Sequence, residues 1–194
     1  MVSIFSKEKR LVQIAPDAMM TNREKTYCSA ILKRIDNLRR KLGESTLCDQ
    51  DSIPQWYDFL SSIRSIQGNL SNDISFVATL LAKEYLNRKF AIHFDAAEKA
   101  QGAPGIDIDL TTSKGIRIVG EIKTTVPYKS DDFGAQQAES FRKDFAKLRK
   151  AEASYKFLFV TDDSSFSVLK KEKYKQYLSG ITVVHLRNRE EYST

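Results

Sequence analysis

The amino-acid sequence predicts an α/β fold in which helices flank a mixed central sheet, preceded by a helical N-terminal part. Up to about residue 70 the apolar residues follow a helical spacing, whereas the remainder alternates between helical and extended segments. A hairpin that leads through a helix to further strands implies a mixed sheet. We therefore expect a helical subdomain over residues 1–72 and a core over residues 73–194, together forming one domain.

The N-terminal part is predicted to hold two helices. Apolar residues recur at helical spacing from Asn22 to Leu42, and Gly43 follows as a C-cap residue. A second helix is expected from Pro54, which suits a first helical turn, to about Ile66. Its apolar residues are expected to form a buried stripe, namely Trp56, Phe59, Leu60, Ile63 and Ile66.

The core is predicted to alternate in the order α-β-β-β-α-β-α-β. The helices are expected at Ile74–Asn87, Phe133–Ala151 and Ser167–Leu178. The strands are expected at Lys89–Phe94, Ile106–Leu110, Ile116–Thr125, Tyr155–Thr161 and Ile181–Leu186. The second strand alternates strictly between apolar and acidic residues, and the fourth is a continuous apolar run typical of a strand buried on both faces.

Composition and charge narrow the possible functions. The 31 Lys and Arg exceed the 25 Asp and Glu, for a net charge of +6, which is compatible with a polyanionic partner. Two Cys and two His are too few for a Cys/His zinc site. The sequence has no membrane-length apolar run, no secretory signal features and no phosphate-binding Gly-rich loop before Lys-Ser/Thr. We therefore expect a cytoplasmic protein without membrane contact and without a nucleotide cofactor.

One stretch, residues 102–125, carries a pattern suited to metal chemistry. Asp107 and Asp109 lie on the first strand of the predicted hairpin, and Glu121 and Lys123 lie on the second, pointing to one face. Charges on so apolar a strand are costly unless they are paired or bind a metal. Carboxylates from adjacent strands can hold one or two Mg²⁺ ions, and the lysine can orient water or stabilise negative charge. The alternative is an exposed hairpin edge with a cross-strand salt bridge.

This pattern resembles the motif of the PD-(D/E)xK nuclease superfamily, whose fold is restriction-endonuclease-like. The resemblance covers roughly residues 73–186 and rests on Pro104, Asp107 and the Glu121-Ile-Lys123 tripeptide. It implies an αβββαβ core and a catalytic set of Asp107, Glu121 and Lys123. Because Pro104 is not adjacent to Asp107, Asp109 stays open as the motif aspartate.

The same resemblance implies a metal site and a partner. Asp107 and Glu121 would be ligands of Mg²⁺, for which Mn²⁺ is expected to substitute, joined by Glu84 from the preceding helix and by the backbone carbonyl of Ile122. The expected activity is that of a DNA endonuclease similar to a small type II restriction enzyme, a site-specific deoxyribonuclease that acts as a homodimer on double-stranded DNA. Expected DNA contacts are Lys99, Gln101, Tyr128, Lys129, Gln137, Arg34 and Lys41.

Two other functions stay open at this point. A structure-specific repair or junction nuclease of the same fold would recognise the shape of DNA and not its sequence. A non-catalytic DNA-binding protein would keep the fold without needing the carboxylate pair, which repels phosphate.

Overall fold

The computed structural model describes residues 20–44, 52–128 and 131–194, and a five-stranded sheet lies at its centre. The strands are β1 (Ile108–Thr111), β2 (Arg117–Lys123), β3 (Tyr155–Val160), β4 (Thr182–His185) and β5 (Glu191–Tyr192). The helices are α1 (Asn22–Glu44), α2 (Ile53–Gln67), α3 (Leu70–Phe90), α4 (Ala135–Lys150), α5 (Asp163–Leu169) and α6 (Glu172–Lys175).

The sheet is mixed, and its spatial order follows the chain from β1 to β5. The β1–β2 hairpin is antiparallel, with Ile108 opposite Gly120. β2, β3 and β4 run parallel to one another, and β5 returns antiparallel to β4. The predicted α/β class with a mixed sheet is therefore confirmed, and β1 forms one edge of that sheet.

The core lies on both faces of the sheet. On β3, Phe157 and Phe159 face α3, whereas Leu158 and Val160 face α4 and the following short helices. All four side chains are almost completely buried, as expected for the apolar run at this position. This double burial holds the sheet rigidly between two helical layers and fixes the strand ends where the candidate site lies.

α1 is joined to α3 by charged and aromatic contacts. Lys83 Nζ lies 2.8 Å from Glu24 Oε2, and both side chains are buried. The rings of Tyr27 and Phe76 stack with their centroids 4.0 Å apart. About two turns beyond Tyr27 on α1, Arg34 pairs with the Asp73 carboxylate at 2.6 Å. The first helix is thus tied to the core from its first turn to its middle.

The predicted strand Lys89–Phe94 is wrong. Lys89 and Phe90 form the last turn of α3, where basic side chains interact favourably with the helix dipole. The helix ends because Ala91 adopts a left-handed conformation, with φ at 51°, and residues 91–95 form no strand. Two strands, and not three, therefore separate α3 from α4, so the described order departs from αβββαβ at this point.

Two further expectations about helices are corrected. The predicted helix Ser167–Leu178 is replaced by two short helices, α5 and α6, and α5 starts earlier because Asp162 accepts a hydrogen bond from the Ser165 amide at 2.9 Å. The apolar stripe of α2 is not buried, since Trp56 is 43% exposed and Leu60 is 56% exposed. The main neighbour of α2 is α1, which leaves this stripe away from the sheet.

None of the helices in the described part of the chain is both long enough and apolar enough to cross a membrane.

Candidate functional site

The β1–β2 hairpin brings two carboxylates together at the edge of the sheet. Ile108 lies opposite Gly120, so the same register continued by one residue sets Asp107 opposite Glu121. Asp107 Oδ2 accepts a hydrogen bond from the Ile122 amide at 2.9 Å. This bond holds Asp107 against the second strand although the residue itself precedes β1.

Glu121 is a buried carboxylate in a crowded acidic environment. Its side chain is 3% exposed. Burial, together with the negative charges of Asp107 and Asp144, raises the pKa of Glu121 to about 8, against the opposing effect of the Lys147 ammonium. Near neutral pH this carboxylate therefore holds a proton or requires a cation beside it.

Lys123 is held by α4 and not by the two hairpin carboxylates. Its ammonium donates a hydrogen bond to Ser140 Oγ at 2.8 Å and forms an ion pair with Asp144. The Lys123 side chain is 17% exposed, and that of Asp144 is 7% exposed. The lysine of the tripeptide motif is thus fixed by side chains one turn apart on the helix that packs over β2.

A second lysine completes the cluster. Lys147 Nζ lies 3.2 Å from Glu121 Oε1 and 3.1 Å from Asp144 Oδ1, and its side chain is 43% exposed. Three carboxylates (Asp107, Glu121 and Asp144) therefore share two ammonium groups. With every carboxylate ionised, this cluster carries one uncompensated negative charge, which adds to the effect of burial in raising the pKa of Glu121.

The cluster forms one wall of an open cleft of about 530 Å³. The same cleft is also lined by the segment that leads from α3 to β1, including Lys99 and Gln101, and by Ser75 and Thr79 of α3. Lys99 Nζ donates a hydrogen bond to the carbonyl of Ile106 at 2.5 Å. Two of the residues expected to contact DNA therefore line the same cleft as the carboxylates.

Asp109 belongs to a different interaction. Arg117 donates two hydrogen bonds to the Asp109 carboxylate, one of 2.9 Å from Nε and one of 2.7 Å from Nη2. These bonds hold the pKa of Asp109 below its usual value despite some opposing burial. The cross-strand salt bridge that the sequence left as an alternative does occur, but at Asp109, while Asp107 is the aspartate brought to Glu121.

Glu84 is not brought to this cluster. Its Oε1 accepts hydrogen bonds from Arg88 at 2.7 Å and from Arg189 at 2.8 Å, and Glu84 does not line the cleft. The expected third carboxylate ligand from α3 is therefore not brought to the cleft, and the residues of α3 that line it are Ser75 and Thr79. The carboxylate that does approach Glu121 is Asp144, which comes from α4.

The other expected DNA contacts are dispersed. Gln137 binds the loop before α4, since Oε1 accepts from the Tyr128 amide at 2.9 Å and Nε2 donates to the Val126 carbonyl at 2.8 Å. The Tyr128 side chain is exposed. Arg34 is committed to Asp73, and Lys41 lies in the last turn of α1. Lys129 lies outside the described residues.

Sequence reasoning missed the contribution of α4. Ser140, Asp144 and Lys147 follow one another at spacings of four and three residues, which places them on one side of a helix. They border the buried stripe of Phe141, Phe145 and Leu148. A polar stripe beside an apolar one is the signal that marks them, and it becomes specific only when the helix is known to cross β2.

Within the described ranges, no group of three or more His, Cys, Asp or Glu side chains has the arrangement expected of a metal site. The donor set at Glu121 is smaller, consisting of the Asp107 and Glu121 carboxylates. Mg²⁺ is commonly bound through one or two carboxylates, with waters and substrate phosphate completing its coordination. A pair of close carboxylates with surplus negative charge fits that requirement.

Comparison of the chain with protein-family models, with curated proteins and with solved structures gives no significant match.

Proposed function

We propose that this chain is a divalent-metal-dependent nuclease that hydrolyses phosphodiester bonds in DNA. The observation that carries the proposal is the meeting of Asp107 and Glu121 in an open cleft, where the Lys147 ammonium lies 3.2 Å from Glu121 and Lys123 lines the same wall. Carboxylates that bind a cation, beside lysines that bind an anion, form a site suited to a phosphodiester.

Asp107 and Glu121 are the residues that would hold Mg²⁺ or Mn²⁺, and the carbonyl of Ile122, which follows Glu121 on β2, is a further candidate ligand. The ion would lower the pKa of a bound water and neutralise charge on the phosphate. Glu121 has to give up its proton to bind a cation, and its charge is then shared between the ion and Lys147.

The lysines act on the phosphate side of the reaction. Lys147 is the more exposed of the two and points into the cleft, so its ammonium can bind a non-bridging phosphate oxygen. Lys123 is fixed by Ser140 and Asp144, which holds its ammonium at a constant position next to the Asp144 carboxylate in the wall of the cleft. Preorganised positive charge of this kind stabilises the negative charge that develops during hydrolysis.

The finer proposal is a type II site-specific endonuclease that cuts double-stranded DNA as a homodimer. Its support is the resemblance of Asp107, Glu121 and Lys123 to the PD-(D/E)xK motif, together with the net charge of +6. Two-fold symmetry would match a palindromic site and allow both strands to be cut.

Digestion of a sequenced plasmid with Mg²⁺, followed by mapping of the ends, tests this function. We expect discrete fragments from the wild-type chain and none from Asp107→Asn or Lys123→Ala. The matched control is Asp109→Asn, which changes an aspartate on the same hairpin that is held by Arg117. Cleavage that survives Asp107→Asn and Lys123→Ala would overturn the assignment, and cutting confined to branched substrates would favour a junction nuclease.

A further inference from the structure

α4 presents a row of lysines on its solvent-facing side. The helix buries Phe141, Phe145 and Leu148 against the sheet. Lys143, Lys147 and Lys150 are exposed and follow at spacings of four and three residues, so they share one face of the helix. We call these three residues the α4 lysine row.

The row is continuous with the candidate site. Its middle member, Lys147, lies 3.2 Å from Glu121 and lines the cleft. Ser140 and Asp144 lie between the row and the buried stripe and contact Lys123. One helix therefore supplies both the side chains that hold the motif lysine and the positive charges next to the cleft.

The outer members of the row are not neutralised. In the part of the chain that the structure describes, neither Lys143 nor Lys150 has a carboxylate within ion-pair distance. Glu139 lies one turn before Lys143 on the same side of the helix, but its carboxylate pairs at 3.7 Å with Arg142 and not with Lys143. The face therefore keeps an excess of positive charge where it borders an acidic cleft.

We infer that the α4 lysine row binds the phosphate backbone of the DNA strand whose scissile phosphate lies at Glu121. This inference rests on the proposed nuclease function. The row spans seven residues, or about 10 Å of helix, which corresponds to about three nucleotides along a duplex. Lysine ammonium groups are suited to this contact because they bind phosphates as point charges without reading the bases.

The salt dependence of binding tests the row without requiring cleavage. The full chain is titrated with a fluorescently labelled DNA duplex in EDTA, at several salt concentrations. We expect Lys143→Ala and Lys150→Ala each to reduce the slope of log K against log salt by about 0.9, and the double variant by about 1.8. Arg187→Ala is the matched control, because this exposed cation lies just after β4, next to the opposite edge strand β5.

The outcomes separate this inference from the proposed function. Three results would overturn the inference that the row binds DNA. They are a double variant that binds with the wild-type slope, an equal loss of slope in Arg187→Ala, and a wild-type chain that binds no duplex. If the row variants show a smaller slope but the wild-type chain cuts no DNA with Mg²⁺, the proposed nuclease function is wrong. The inference that the row binds nucleic acid would then stand. Thermal melting of each variant checks that the substitutions leave the fold intact.

Discussion

Asp144 on α4 pairs with Lys123 on β2 and so turns the motif lysine toward the helix. The same carboxylate lies 3.1 Å from Lys147 through its other oxygen. A single buried acid therefore positions both ammonium groups of the candidate site. Without it, each lysine would lose its closest anionic partner and Glu121 would lose one of the charges that raise its pKa.

Asp144→Asn is expected to lower both stability and activity. The amide keeps the shape of the side chain but removes the charge that holds Lys123, which costs about 2 kcal/mol, the scale of a charge-assisted hydrogen bond. Urea denaturation measures this loss, and Mg²⁺-dependent cleavage should fall as Lys123 moves. The control is Glu139→Gln, whose exposed pairing with Arg142 at 3.7 Å contributes little. Equal urea midpoints for the two variants would contradict the role given to Asp144.

Glu121 predicts a pH-dependent stability. The folded protein keeps the Glu121 proton up to a pKa of about 8, whereas the unfolded chain releases it near 4.5. Between these two pH values the folded state binds one proton more than the unfolded state. The stabilisation that this proton provides is therefore complete below about pH 4.5 and is lost as the pH rises through 8. Glu121→Gln cannot titrate, so the free energy of unfolding of the wild type, minus that of the variant, should fall over this range.

Mg²⁺ bound at Glu121 should offset the loss of stability that is expected at high pH. A cation binds the ionised carboxylate, so the rise in melting temperature on adding Mg²⁺ should be larger at pH 8.5 than at pH 5.5, on either side of the Glu121 pKa of about 8. EDTA should abolish the rise, and Glu121→Gln should lack it at both pH values. A Mg²⁺ effect that is equal in wild type and Glu121→Gln would place the ion elsewhere.

The pair Glu24–Lys83 is a charged link between α1 and the core in which both side chains are buried. Glu24 is fully buried and also accepts a hydrogen bond from the Ala96 amide at 2.7 Å, in the segment that lines the cleft. Glu24→Ala leaves a buried ammonium without its partner, at an expected cost of about 3–5 kcal/mol. Urea denaturation checks this value.

The companion variant for that pair is the double change Glu24→Gln/Lys83→Met. Removing both charges avoids an unpaired ion, so the double variant should be clearly more stable than Glu24→Ala. Gln can still accept the hydrogen bond of the Ala96 amide. If the double variant is as unstable as Glu24→Ala, the cost comes from packing and not from the lone charge.

Local patterns in the sequence were enough to predict the hairpin and the buried strand at 155–160, but they left both Asp107 and Asp109 open as the aspartate that meets Glu121. The register of a hairpin follows from its own residues, and strand periodicity sets which side chains share a face. The same reasoning wrongly extended strand structure over Lys89–Phe94, because β-type apolar residues there compete with a helix that continues to Phe90. Propensity could not decide where α3 ends.

The partners supplied by distant elements could not be predicted from local patterns. Asp144 and Lys147 belong to the site only because α4 crosses β2, and Glu84 is absent from it because two arginines bind it elsewhere. Arg34 was expected to contact DNA, but in the folded chain it pairs with Asp73. Each of these outcomes depends on tertiary packing that a helical spacing does not encode.

Gly120, which precedes Glu121 on β2, has its own steric requirement. A Cβ atom at this position would lie 2.8 Å from Cε2 of Phe159, which is closer than a Cβ atom comes to a non-bonded atom in real structures. Gly120→Ala should therefore push the Phe159 ring and cost about 1–3 kcal/mol, the usual range for overpacking a core. Urea denaturation measures the loss.

The double change Gly120→Ala/Phe159→Leu should recover part of the stability relative to Phe159→Leu alone, because the smaller side chain leaves room for the new methyl group. Gly43→Ala is the control, because Gly43 lies within α1 and not at the C-cap position expected from the sequence. Nothing lies within 4 Å of its added methyl, and alanine favours the helix. If Gly120→Ala is as stable as Gly43→Ala, the contact with Phe159 is not what requires glycine beside Glu121.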